Sequence, residues 1–419
     1  MEIINFLKIN SKNLALKFIV FSFPLALVSG PLIPDLIISL SSLFFLIFFY
    51  KEFFNLIKKN LFIKIFFLFF LYLVINSFFS DFILVSIKSS LTYIRFVIFV
   101  CVIYYLYNRY PDIKYIFFLG LLFTFIILCI DANIQYLTGR NVFGFEPQKV
   151  PLRISGMFKD ELILGSFLSR LFPLLVGLFV LFFHKKKYFL LNLFFLTLLV
   201  TFTIIISAER TATALHLISI LLLIFFLDIK KKFKFFIFIS LLIVSAIFIN
   251  SNVHVKHRVI NETLLNSDKA KYVFSKVHHA HYLTAINIFL EKPLLGSGAK
   301  TFRYICDEDK YKVDRFKKPF NFWQFSCSTH PHNLYMQLLS ETGIFGFIFL
   351  MCFFIYIIVN LFKKLPKSIT ETYYKKSIYI CLFVNFFPFA PSGNFFNNYV
   401  SMIYILPISL MLLKTKLIK

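Results

Sequence analysis

Charge is scarce in this chain, and acidic charge most of all. Only 16% of the 419 residues are Asp, Glu, Lys or Arg, and 20 acidic residues face 45 basic ones. Soluble domains usually carry about a quarter charged residues. The chain is 59% hydrophobic and 20% aromatic, with 62 Phe. A water-soluble protein could not hide that much apolar surface, because single cores stop growing at about 250–300 residues. Disorder is excluded too, since it needs low hydrophobicity. Alternating segments of about 10 residues, the mark of a membrane barrel, are missing. An all-α integral membrane protein remains. Its net charge, 45 − 20 = +25, would suggest nucleic acid in a soluble protein. Between apolar runs it reads as positive-inside bias and requires no nucleic-acid partner.

A spanning helix needs about 20 mostly apolar residues. Twelve candidate spans stand at about 14–30, 32–50, 61–79, 88–107, 113–131, 161–183, 188–206, 210–228, 233–250, 342–362, 377–393 and 398–414. Pro24 falls in the first and Pro388 interrupts the eleventh. The N-terminal run lacks a small-residue cleavage site, so it is expected to be a span rather than a signal peptide. No internal repeat of fixed period stands out.

Every second short loop is basic: Lys51, Lys58 and Lys59, then Arg109 and Lys114, Lys185–Lys187, Lys230–Lys232 with Lys234, and Lys363, Lys364, Lys367, Lys375 and Lys376. The alternation puts both termini in the cytoplasm. Segments 132–160 and 251–332 are then the long outer ones. The expected organisation is a transmembrane bundle over 1–250, an outer loop domain over 251–332, and C-terminal transmembrane helices over 333–419.

Four of the six cysteines, Cys101, Cys129, Cys352 and Cys381, fall within apolar spans and read as small hydrophobes. Cys306 and Cys327 lie close together in the outer segment, on the oxidising side, and a disulfide between them is expected. No CxxC pair accompanies His330 and His332, which leaves zinc a weak alternative.

The densest polar stretch runs Ser326-Cys-Ser-Thr-His-Pro-His-Asn-Leu-Tyr-Met-Gln-Leu-Leu-Ser-Glu-Thr-Gly-Ile-Phe-Gly346. Pro331 cannot sit inside a helix, so His332 and Asn333 fall at a helix start. Leu334, Gln337, Leu338 and Glu341 continue at helical spacing into the tenth span. There Gly343 and Gly346 allow close helix approach. His332 is thereby set at the outer membrane–water boundary. An imidazole can take a proton near neutral pH without perturbation; a structural cap is the other reading.

His332-Asn333, nine residues, Gly343, two residues, Gly346 resembles the signature of the bacterial O-antigen ligase family, whose C-terminal domain is shared with some O-antigen polymerases. Pro293-Leu-Leu-Gly296-Ser-Gly298 with Phe302-Arg303, Arg153-Ile-Ser-Gly156-Met-Phe158 and Ser207-Ala-Glu209-Arg210-Thr resemble further stretches of that family. The likeness covers roughly residues 150–350.

The resemblance implies a GT-C-like, metal-independent glycosyltransferase of the bacterial inner membrane, with about twelve transmembrane helices, a large helical periplasmic loop and no cofactor. Its donor would be an undecaprenyl-pyrophosphate-linked glycan. The acceptor would be lipid A-core in a ligase, or another lipid-linked glycan in a polymerase. By carry-over His332 is the base that activates the acceptor hydroxyl, and Arg210 binds pyrophosphate. The family usually has a second essential arginine ahead of the Pro-Leu-Leu-Gly segment. Here that stretch reads Lys276-Val-His278-His279-Ala-His281-Tyr282, which leaves His281, a neighbouring histidine, Lys276 or Arg303 for the role.

The residues also point to a polyanionic lipid on their own. Arg95 and Arg170 lie inside the fourth and sixth spans, where an arginine costs roughly 2.5 kcal/mol or more and normally faces a cavity or a partner. At 1.5 Å per residue they sit about 10 Å and about 13 Å below the outer boundary. Arg210, and Arg153 in the outer segment, would complete a diphosphate-binding set, with Glu161 and Glu209 free to orient or neutralise it. A transporter of lipid-linked sugars is the rival from another class, and the missing internal symmetry speaks against it.

Overall fold

A computed structural model describes residues 11–149, 152–228, 230–251, 256–257, 276–313, 326–364 and 368–413. Parts of the expected outer segment (252–255, 258–275 and 314–325) lie outside the described residues. The described chain is a helical bundle with a single two-stranded ladder, β1 (Gln148–Lys149) antiparallel to β2 (Leu152–Arg153).

The helices are α1 (Ser11–Ala26), α2 (Leu32–Lys59), α3 (Leu61–Ser77), α4 (Ile83–Thr92), α5 (Ile94–Arg109), α6 (Ile113–Thr138), α7 (Leu164–Phe183), α8 (Phe189–Ile206), α9 (Arg210–Phe226) and α10 (Lys231–Ser251). Then come α11 (Lys276–Glu291), α12 (Phe302–Ile305), α13 (Leu334–Phe362), α14 (Ile369–Asn385) and α15 (Asn398–Met411).

Among the described residues, six helices are long and apolar enough to cross a membrane: Leu32–Lys59, Ile83–Arg109, Ile113–Thr138, Leu164–Phe183, Phe189–Ile206 and Leu334–Phe362. Leu14–Ala26, Leu61–Ser77, Arg210–Phe226 and Asn398–Met411 are shorter apolar helices. The chain is a multi-pass, all-α membrane protein. Its outer faces are apolar: on α2, Leu40, Phe44, Ile47 and Phe48 are all exposed. Such a surface suits hydrocarbon rather than water.

Helix α7 is the centre of the bundle, buried almost continuously from Leu164 to Val180. Helix α14 lies along it, and a Cβ on Gly177 would stand 2.5 Å from the Cβ of Ser377. Small residues let the two backbones approach, as is usual for helices in a membrane.

Several boundaries differ from the expectation: the second helix continues to Lys59 rather than ending at 50, the fifth expected span runs to Thr138 rather than 131, and the fourth is a pair of helices that starts at Ile83 and breaks at Tyr93. The first helix runs from Ser11 to Ala26 rather than over 14–30. The eleventh begins at Ile369 and ends at Asn385, so Pro388 falls beyond it. Lys376, expected in a basic loop, sits inside α14 and is buried. Its ammonium donates to the carbonyls of Asn360, Leu361 and Lys363 at the end of α13. A lysine that caps a neighbouring helix satisfies both its own charge and the orphan carbonyls.

Candidate functional site

The site is organised by a break in α13. Gly343 has φ 63° and ψ −162° in the middle of this helix, a region essentially closed to residues with a side chain. The turn 293–298 fills the gap. The Ile344 amide donates to the Pro293 carbonyl at 2.9 Å instead of back along its own helix. In return Ser297 N–H donates to Ser340 O at 2.9 Å and Gly298 N–H to Glu341 O at 2.7 Å.

The approach is so close that a Cβ on Gly343 would stand 2.2 Å from Leu294 O, and one on Gly296 2.6 Å from Gly343 N. The two glycine motifs are therefore halves of one backbone stitch. Gly343 makes room for this turn rather than for another helix, and Gly346 for the Thr342 side chain of its own helix. The buried Glu341 carboxylate fastens the stitch, accepting from Lys300 N at 3.0 Å, Phe302 N at 2.9 Å and Gln337 Nε2 at 2.9 Å.

At the start of α13, Asn333 accepts from the amides of Tyr335 and Met336 at 2.9 and 3.1 Å, an N-cap of the preferred type. Its amide group donates to Pro388 O at 2.7 Å. His332, held between Pro331 and this cap, adopts φ 55°. A left-handed non-glycine residue stores strain that the surroundings must hold. Here Ser392 N–H donates to the His332 carbonyl at 2.9 Å.

The imidazole of His332 lies 3.2 Å through Nε2 from Ser328 Oγ. Ser328 follows Cys327, which is disulfide-bonded to Cys306 with the Cα atoms 5.0 Å apart. The rings of His330, His281 and His278 have centroids 4.2, 5.2 and 5.6 Å from that of His332.

His330 is fully committed. Its Nε2 faces the Ser392 carbonyl at 3.2 Å, so that nitrogen carries the proton, and Nδ1 accepts from Thr329 Oγ1 at 2.9 Å. Burial pushes His330 down to about 3, and His278 and His281 to about 4; the nearby His332 adds to each shift. Burial alone lowers His332. All four imidazoles are thus neutral at pH 7.

Because these folded values lie below the ordinary 6.5, the unfolded chain binds more protons in acid. Stability is therefore full above about 6.5, and it falls as pH drops from there towards the folded values. Thermal unfolding of the detergent-solubilised protein is expected to show Tm falling from about pH 7 to about pH 5. A flat Tm over that range would contradict the neutral cluster.

His332 opens onto a cavity of about 580 Å³. Arg153, Arg170, Arg210, Glu161, Glu209 and His278 line it together with Tyr399, Tyr404 and Pro391–Gly393. Arg153 is placed by the segment between α6 and α7, which Gln135 anchors by accepting from Ser155 N and Gly156 N at 3.1 and 2.7 Å. Its Nη2 donates to Leu162 O at 3.3 Å. Arg170, in α7, donates to Asn385 O at 3.1 Å. Arg210 is the first residue of α9.

The two carboxylate oxygens of Glu209 accept from Gly165 N at 2.7 Å and Ser166 N at 3.0 Å, at the start of α7. Burial pushes this carboxyl up to about 7, against the amides and Arg153 that hold it down. Three guanidiniums and neutral imidazoles facing one cavity make a receptor for a multiply charged oxyanion.

Other residues singled out in the sequence lie elsewhere. Arg95 does not line this cavity; it pairs with Asp35 at 3.1 Å and with Asn398 Oδ1 at 2.7 Å, joining α2, α5 and α15. Asp35 supplies the partner that a buried arginine needs. Arg303 is exposed on α12, outside the lining. His281 is buried behind His332 and does not reach the lining. From the stretch 276–282, it is His278 that faces the cavity. Tyr399, Tyr404 and Ser392 carried no signal in the sequence, since single polar atoms in an aromatic-rich tail form no pattern.

Residues 193–351 match the family model described as O-antigen ligase. A protein of Rickettsia conorii (strain ATCC VR-613 / Malish 7), provisionally named a polysaccharide ligase, is 28% identical over 121 residues. The match spans 28% of this chain and 27% of that relative's length.

Proposed function

We propose that this chain, whose residues 193–351 match the O-antigen ligase family model, transfers a glycan from undecaprenyl pyrophosphate to an acceptor hydroxyl at the periplasmic face of the bacterial inner membrane. The acceptor is lipid A-core or a related lipid-linked glycan. The observation that carries this reading is the single cavity in which Arg153, Arg170 and Arg210 face the His332 imidazole. The alternation of basic short loops along the sequence supports a reading in which that cavity faces the outer side.

In the proposed step, neutral His332 takes the proton of the acceptor hydroxyl. The acceptor oxygen attacks the anomeric carbon as the bond from that carbon to the diphosphate oxygen breaks. Undecaprenyl pyrophosphate leaves with the electron pair, and the guanidiniums meet its charge. Since diphosphate is a good leaving group, neither a general acid nor a metal is needed. A single displacement inverts the anomeric centre.

The test is a transfer assay with purified full-length protein, a defined undecaprenyl-pyrophosphate glycan, and either lipid A-core or a second donor molecule. Glycan joined to lipid A-core is expected. Elongation of a second donor instead would assign polymerisation. Movement of the donor across a bilayer with no transfer to either acceptor would refute the enzyme reading.

A further inference from the structure

Helix α15 separates two cavities. Val400 and Ile403 face the arginine cavity, while Ser401, Ile405 and Ile408 face a second one of about 350 Å³. The second cavity is walled mainly by apolar side chains of α3 and α13, among them Phe66, Phe349 and Phe353. Its rim includes Leu61, 71% exposed on the outside of the bundle. Tyr404 belongs to both linings.

Tyr404 is only 4% exposed, and among the described residues its hydroxyl has no hydrogen-bond partner. The Tyr399 hydroxyl and Ser392 Oγ, also in the lining of the arginine cavity, are likewise buried without one. Buried polar atoms are normally satisfied, and a cluster left over in a cavity wall awaits a ligand. Diphosphate oxygens only accept, which matches hydroxyl donors beside guanidiniums. The Arg170 guanidinium carbon lies 6.0 Å from the centre of the Tyr404 ring.

We infer that the polyprenyl tail of the donor passes Tyr404 into the apolar cleft between α3, α13 and α15, and that the Tyr404 hydroxyl together with Arg170 binds the phosphate attached to that tail. This rests on the proposed donor. From Ser401 to Ile408 the cleft follows about 10 Å of helix rise, so it holds the head-proximal part of the tail, with Leu61 and Ile65 exposed on the outside of the bundle at its rim. Head group and tail thus part at the one residue that is polar at its tip and aromatic in its body.

The experiment uses full-length protein in lipid nanodiscs, with undecaprenyl- and short-chain geranyl-pyrophosphate glycans as donors. Tyr404→Phe removes a hydroxyl that has no hydrogen-bond partner among the described residues. Its Tm should therefore stay within about a degree of wild type, while donor KM rises about tenfold and kcat changes less than twofold. Ile405→Trp fills the cleft and should raise KM for the undecaprenyl donor alone, erasing the preference for the long chain. Ile408→Phe, which also lines the cleft and breaks no hydrogen bond, is the milder variant should the tryptophan unfold the protein.

Unchanged donor KM in Tyr404→Phe, or equal effects of the cleft variants on long and short donors, would overturn the assignment; an ordinary membrane lipid would then occupy the cleft. Failure of the transfer reading is distinguishable, because equilibrium binding of the long- and short-chain donors to these variants reports the cleft even where no glycan is transferred.

Discussion

His332→Ala is expected to lose transfer by a factor of about 10²–10⁴, the usual contribution of a positioned general base. The loss should fall on kcat, because the donor's charge is met by Arg153, Arg170 and Arg210 rather than by the neutral imidazole. Membrane insertion and donor affinity should persist, since the His332 side chain bonds only Ser328 Oγ among the described residues. Steady-state kcat, read beside equilibrium binding of undecaprenyl pyrophosphate, separates the two quantities. Equal loss of binding and turnover would make His332 a donor ligand instead of a base.

Gly343→Ala is expected to destroy the fold of the site rather than its chemistry. The new methyl would meet the Leu294 carbonyl oxygen at 2.2 Å, with Leu294 C and Leu295 N close behind. No side chain can move aside there, since all three atoms are backbone. The residue would also have to hold a glycine-only conformation, at a cost of about 1–3 kcal/mol, and backbone overpacking adds about 1–3 kcal/mol more. Together these approach the whole stability of an ordinary domain. Gly346→Ala is the comparison, because its methyl meets only the Thr342 side chain, Oγ1 at 1.8 Å and Cβ at 2.8 Å, and no backbone of another segment. The yield and Tm of folded protein in detergent should collapse for the first variant and fall modestly for the second. Similar values for both would show that the stitch between 293–298 and α13 is dispensable.

Apolar run length and the spacing of basic loops made the helices readable from sequence, because a membrane segment must be both long and uncharged. Boundaries were harder wherever a charge found a private partner. Lys375 and Lys376 look like a loop by composition, yet Lys376 is buried as a cap on α13. Arg95 looks like Arg170 by the same criterion. Only the fold shows that Asp35, sixty positions away, neutralises one, while the other opens into the cavity.

The glycines of the two motifs were visible, but their purpose was not. A helix broken by a distant turn has no local signature, so Gly296 and Gly343 read as separate packing sites. Tyr404 was hidden for a different reason. In a chain with 21 Tyr and 62 Phe, one further aromatic residue stands out only when its hydroxyl is found without a partner.

The role of His332 is tested most directly by the pH dependence of kcat/KM for the donor, measured on the purified wild-type protein. Burial lowers this imidazole below its ordinary 6.5. The rate should therefore be flat through neutrality and fall on the acid side, through one proton, at a pH below that value. A rate that instead climbs as the solution is acidified would make the protonated ring the active form and contradict a base at this position.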